Sequence, residues 1–119
     1  MRHVHSLGAV TVAYFALLLL SGCASIGLAP ATTFDERLAY AVANNAAVRQ
    51  AAANALDAGD IQLPDAQYVL KTTDETRTFL DAAKAASGTG DVSTAEGRLS
   101  VAVSVLSELQ TYLRSRSKK

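Results

Sequence analysis

The sequence predicts an all-α fold: an antiparallel, up-down-up three-helix bundle spanning residues 33–115. Three observations carry this. Two breaks, Gly59-Asp60 and Ser87-Gly88-Thr89-Gly90-Asp91, divide the region into three long stretches. Each stretch opens with residues that favour a helix start. None shows the apolar-polar alternation of a half-buried strand.

The elements before the bundle have a different composition. Arg2, His3 and His5 form a short, positive start, and Leu7 to Leu20 is an apolar run ending in four leucines. Leu20-Ser21-Gly22-Cys23 follows at once. A positive start, an apolar centre and small residues at a cut are the order of a secretory signal. The run is too short for a comfortable transmembrane helix, which needs about 20 residues.

The four residues Leu20-Ser21-Gly22-Cys23 resemble the lipobox of bacterial lipoproteins, a Leu and two small residues before a Cys. The resemblance implies a signal peptide over residues 1–22, attachment of diacylglycerol to Cys23, cleavage before Cys23 and acylation of the new amino terminus. Ala24 stands where an Asp usually implies inner-membrane retention in Gram-negative lipoproteins, so it resembles the outer-membrane class. Cys23 is the only cysteine, which excludes an intramolecular disulfide. Each buried CH₂ of a lipid contributes roughly 0.8 kcal/mol, so several acyl chains anchor a protein stably. Residues 23–32, with Gly27 and Pro30, form a tether that reaches roughly 30 Å when extended.

The first helix opens with Thr33-Phe34-Asp35-Glu36, a capping box, and is expected to run to about Ala58. Pro64 and Asp65 suit the first turn of the second, which runs to about Ala86. Ser93-Thr94-Ala95-Glu96 reads as a second capping box, opening a third helix that ends near Arg114. Residues 116–119 are read as a basic tail. Gly59-Asp60-Ile61 and Gly90-Asp91-Val92 echo each other before the second and third helices, as reused turn chemistry. The Trp, Tyr and Pro signature of tetratricopeptide repeats is missing. Connections this short set neighbouring helices antiparallel.

The helix faces differ in character. The second helix has a core stripe of Val69, Thr73, Thr76, Leu80 and Ala83, opposite a charged, solvated face with Lys71, Asp74, Glu75 and Asp81. Arg77–Asp81 and Lys71–Glu75 have the spacing of surface ion pairs. The third buries Leu99, Ala102, Leu106, Leu109 and Leu113, and Val101, Val105 and Tyr112 widen its apolar arc. That flank either contacts a second helix or is a face for a partner protein. On the first helix Phe34, Leu38, Val42, Ala52 and Leu56 make the stripe, with Asn45 and Arg49 inside it. Counting back from the loops sets these level with Thr73 and Thr76, with Gln110 reaching in from the third helix. This polar layer has two readings: structural, with Arg49 extending its head outward, or a small ligand site inside an apolar bundle.

Composition excludes several chemistries. The chain carries 11 basic and 11 acidic side chains. Without Arg2 and the four cations of the last six residues, the body holds 6 basic against 11 acidic groups, which argues against nucleic-acid binding. The mature chain would have no histidine, no tryptophan and no free thiol, so Ser-His-Asp and Cys-His catalysis and His-based zinc sites are excluded. No metal or cofactor is expected beyond the covalent lipid on Cys23. The Asp and Glu residues match neither an EF-hand loop nor a pair of acids converging in a cleft.

The domain resembles small Ala-rich proteobacterial lipoproteins, a likeness that implies no activity. The reading is a non-catalytic, lipid-tethered periplasmic module of the cell envelope, on the outer membrane in a Gram-negative host. It would contact the membrane through its lipid and an envelope protein through its surface. The alternatives are a prophage lipoprotein for phage exclusion or lysis, and a carrier of a small ligand in the polar layer.

Overall fold

A computed structural model describes residues 33–117, and the signal-peptide, tether and Lys118-Lys119 assignments lie outside the described residues. Helices α1 (Phe34–Asp57), α2 (Leu63–Gly88) and α3 (Val92–Ser117) pack in pairs, each touching both others. The described residues contain no strand. The fold is the predicted all-α three-helix bundle.

The helix ends follow local chemistry. At the start of α1 the Thr33 hydroxyl accepts from the Glu36 amide at 3.2 Å, and the Glu36 carboxylate accepts from the Thr33 amide at 3.0 Å. This is the expected capping box. Pro64 lies in the first turn of α2, and Asp65 accepts from the Gln62 amide at 3.3 Å. The start of α3 departs from expectation. Asp91 caps it, accepting from the Thr94 amide at 3.1 Å, so Ser93 lies inside the helix. Glu96 is thereby released from the role of a cap and faces α1.

The two turns share one mechanism. Gly59 and Gly90 have φ of 78° and 79°, a region that costs any L side chain about 1–2 kcal/mol. In each turn the glycine amide bonds back three residues, to Leu56 or Ser87. The following Asp amide bonds back five, to Ala55 at 2.8 Å or Ala86 at 3.0 Å. These paired bonds are Schellman motifs, and they are the physical content of the Gly-Asp echo.

Burial follows one spacing on all three helices. The buried positions are Leu38, Ala41, Asn45, Val48 and Ala52 on α1, Ala66, Val69, Thr73, Thr76, Leu80 and Ala83 on α2, and Ala95, Leu99, Ala102, Leu106, Leu109 and Leu113 on α3. Steps of three and four alternate throughout, the pattern of coiled-coil seams. The α2 and α3 stripes are as expected. The α1 stripe is rotated: Ala41 and Val48 are inside, while Val42 is 37% exposed. The two stripes share Leu38, Asn45 and Ala52; where the expected one takes Val42 and Arg49 on one flank, the structure buries Ala41 and Val48 on the other, a turn of about 40° at 100° per residue.

The α3 helix also continues past Arg114 to Ser117, so the basic tail does not begin at 116. Arg116 is in the helix, with its Nε 3.5 Å from Asp65 and its guanidinium 5.1 Å from the centre of the Tyr112 ring. Its cation is held by a carboxylate and an aromatic face.

The rotation of α1 is testable with two substitutions. Leu106 is fully buried, and Leu106→Ala is expected to cost about 2–5 kcal/mol in urea unfolding followed by circular dichroism. Val42→Ala is expected to stay within about 0.5 kcal/mol of the parent. A Val42→Ala loss as large as that of Leu106→Ala would contradict the placement of α1.

Candidate functional site: the polar waist and the α1–α3 seam

The core is two apolar clusters. One holds Val48, Ala52, Ile61, Ala66, Val69, Leu106, Leu109 and Leu113, and the other holds Leu38, Ala41, Leu80, Ala83, Leu99 and Ala102. Asn45, Thr73 and Thr76 are buried, belong to neither, and lie along the chain between members of both. They form the mid-height polar layer.

Most of this layer is satisfied within the bundle. The Thr73 hydroxyl donates to the Leu70 carbonyl at 2.8 Å and the Thr76 hydroxyl to the Thr72 carbonyl at 2.7 Å. Arg49 donates to the Thr73 hydroxyl at 3.1 Å, to the Leu70 carbonyl at 3.5 Å and to Asp74. Asp74 was assigned to the wet face of α2, and it is the carboxylate that the polar layer needed. Its exposed position hid it, because Arg49 reaches outward to meet it. Gln110 is not part of the layer. It donates to the Asn44 side-chain oxygen Oδ1 at 2.7 Å, in the α1–α3 seam. The Asn45 amide oxygen is buried without a partner. With the Arg49 donors held by the protein's own acceptors, the layer reads as structural.

The α3 flank of Val101, Val105 and Tyr112 is divided. Val105 and Tyr112 pack against the core, and Val101 is 45% exposed. The Tyr112 hydroxyl donates to Asp65 at 2.5 Å, and its ring lies 5.0 Å from that of Tyr68 at 58°. Tyr112 thus lies in the α2–α3 seam. Through Val105 and Tyr112 the wide apolar arc of α3 serves contact with α2, while Val101 stays at the surface.

The open face lies on the opposite flank. Helices α1 and α3 make the sparsest contact of the three pairs. Two grooves of about 560 and 590 Å³ run along their seam and share Asn44. Small side chains explain them: Ala47, Ala51 and Ala55 from α1 line the first with Gln110 from α3, and Ala41 lines the second with Ser100 and Val103. The flank is also nearly uncharged. Between Arg37 and Asp57, α1 carries only Arg49, which turns toward α2, and between Arg98 and Arg114, α3 carries only Glu108. Helix α2 carries seven charged side chains. The seam was missed because alanine is uninformative on a helical wheel: it is found both buried and exposed. The signal available was the charge-free run of α1.

An ion pair closes one end of the seam. Arg37 donates to both carboxylate oxygens of Glu96, one at 2.8 Å. This bonding lowers the Glu96 pKa below its ordinary 4.5 and raises that of Arg37. Hydrogen bonds from the Thr94 hydroxyl and amide lower the Asp91 pKa below 3.8. Its bond to Asp65, with burial second, raises the Tyr112 pKa above 10.0. Among the described residues no cluster of His, Cys, Asp or Glu is arranged to hold a metal ion, and no helix is long and apolar enough to cross a membrane.

No family model matches the chain, and neither a curated protein nor a solved structure matches it.

Two predictions follow from this geometry. Leucine has nearly the branched shape of asparagine, so Asn45→Leu removes an unsatisfied buried oxygen without emptying its site. It is expected to stabilise the fold by about 1–3 kcal/mol, whereas Arg49→Leu, which loses an exposed pair, is expected to change stability by no more than about 1 kcal/mol. A destabilised Asn45→Leu in urea melts would show that the oxygen has a partner. The titrating groups set the pH limits. A depressed carboxylate pKa stabilises the fold above the unfolded value, and that stability is lost as pH falls through the folded pKa. Thermal midpoints should therefore fall below about pH 4.5, less steeply in Glu96→Gln and Asp91→Asn. The raised Tyr112 pKa acts at the other limit: its contribution is complete below pH 10.0 and lost above it, and Tyr112→Phe should flatten that alkaline limb.

Proposed function

We propose that the chain is a non-catalytic, lipid-anchored protein of the cell envelope whose bundle serves as a protein-interaction module. The anchor half rests on Leu20-Ser21-Gly22-Cys23 directly after the apolar run, with Ala24 favouring the outer membrane facing the periplasm. The interaction half rests on the α1–α3 seam. A solvated helix ordinarily carries charge along its outer face, and on the seam α1 instead exposes Tyr40, Ala47 and Ala51.

The surface favours this over catalysis. Glu96 is the one carboxylate lining the two grooves, and Arg37 holds it. It also favours it over ligand transport, because Arg49 is already engaged by Asp74, Thr73 and Leu70.

The anchor is tested by metabolic labelling with a palmitate analogue. The parent is expected to be labelled and recovered with the outer membrane of a Gram-negative host, and Cys23→Ser is expected to be unlabelled. Equal labelling of both would refute the anchor. The module is tested in the full-length chain with a photo-crosslinking amino acid at Ala47 on the seam, and at Glu75 on α2. Protein adducts are expected from position 47 and not from position 75. No adduct from 47 would refute the interaction reading.

A further inference from the structure

We propose that the partner of the α1–α3 seam is one amphipathic helix of another protein, lying antiparallel to α1 and α3 and opening with an acidic turn beside Arg114. The inference rests on the interaction reading above and names the chemistry of that partner.

The packing of three helices points to a fourth. The pairs Arg37–Glu96 and Asn44–Gln110 advance together along α1 and α3, so these two helices run parallel. Helix α2 runs against both and touches each more than they touch one another. In an up-down-up-down four-helix bundle the first and third helices are the diagonal pair, and the second and fourth pack on either side of them. Here α2 takes one side. On the other, the two grooves meet at Asn44 and run along the seam. From Arg37 to Ala55 they extend about 27 Å, the length of roughly 18 helical residues. A channel between two helices takes an amphipathic helix, which fills it with apolar side chains at intervals of three and four. This chain does not supply that helix: the apolar stripes of all three are buried within the bundle, and α2 exposes Lys71, Asp74 and Glu75 on its outer face.

Charge marks one end of the channel. Arg37 lines the second groove, but Glu96 holds it. Arg114 lines the first, and it bonds only the Thr111 hydroxyl of its own helix, at 3.3 Å. Arg37, Arg49, Arg77 and Arg116 each meet a carboxylate, and Arg114 does not. Between the two ends the wall is uncharged, with Tyr40, Ala47, Ala51 and Val103 on it. An occupant that covers this wall excludes water beside Arg114, and a carboxylate it places there is attracted more strongly than in open solvent.

Direction joins the two observations. An antiparallel helix begins at the Arg114 end of the seam, beside the carboxyl end of α3. Its positive dipole end then meets the negative end of α3. Its first turn is also where its own macrodipole favours Asp and Glu, so the residues that start the helix best are the ones that neutralise Arg114. A parallel helix would bring its negative end against that of α3 and set a last turn that favours Lys and Arg beside Arg114.

The test places a photo-crosslinking amino acid at Tyr40 in one full-length chain and at Ala51 in another, each expressed in its own host cell, and maps the adducts on the partner by mass spectrometry. Both positions are exposed on the seam, about 16 Å apart along α1. They are expected to mark one helix of one partner at sites about 11 residues apart, with the Ala51 site nearer its amino terminus. Arg114→Glu should lower the yield of both adducts several-fold, and Arg98→Glu, at a position lining neither groove, should leave it unchanged. Exchanging the partner's first-turn acid for lysine should restore the adducts of the Arg114→Glu chain. Adducts in the opposite order, in a strand or loop, or on a second copy of this chain would overturn the antiparallel partner helix and leave the interaction module standing. A yield unchanged by Arg114→Glu would overturn the acidic first turn. No protein adduct from either position would overturn both readings.

Discussion

The bundle depends on one spacing. On every helix the buried residues recur at alternating intervals of three and four, which keeps each stripe in line with its neighbours along the whole length. The large apolar groups are concentrated on α3, where Leu99, Leu106, Leu109 and Leu113 are all buried. The other two helices close onto that stripe, α1 with Leu38, Ala41, Asn45, Val48 and Ala52 and α2 with a mixture that includes two threonines. The protein is thus a leucine-striped helix covered by two lighter ones.

The unequal covering has a consequence at the surface. Helix α2 reaches α3 through large side chains, with Tyr68, Tyr112, Asp65 and Arg116 locking the seam near the start of α2 and the end of α3. Helix α1 reaches α3 with small side chains and two polar contacts, Arg37–Glu96 and Asn44–Gln110. Where α2 carries charge, water solvates it. Where α1 carries alanine, the grooves keep an uncharged wall between Arg37 at one end and Arg114 at the other. The same residues that let α1 fit closely leave the seam open.

The polar waist is bonded largely within the bundle. Asn45 sits at a core position of the repeating pattern, a place where a polar side chain fixes register at a cost in stability. A slip of one heptad would set its amide at the height of one of the two apolar clusters. Arg49 follows one turn later and escapes burial by extending to Asp74. The desolvation that a buried guanidinium would suffer is thereby avoided.

The number of helices, their turns and the stripes of α2 and α3 were legible in the residues alone, because glycine at positive φ, helix caps and alternating apolar spacing act over a few positions. The candidate lipid anchor is legible in the same local way, from Leu20-Ser21-Gly22-Cys23. Tertiary structure alone decided the rotation of α1, where Val42 turns outward and Ala41 inward. It decided that Tyr112 closes the α2–α3 seam, that Gln110 meets Asn44, and that Asp74 receives Arg49. Each of these depends on the direction in which one helix faces another, a choice made by packing across residues 21 to 66 positions apart. Alanine favours the helix strongly but scarcely favours one face over another. In a chain so rich in it, neighbouring helices decide which side of α1 is covered.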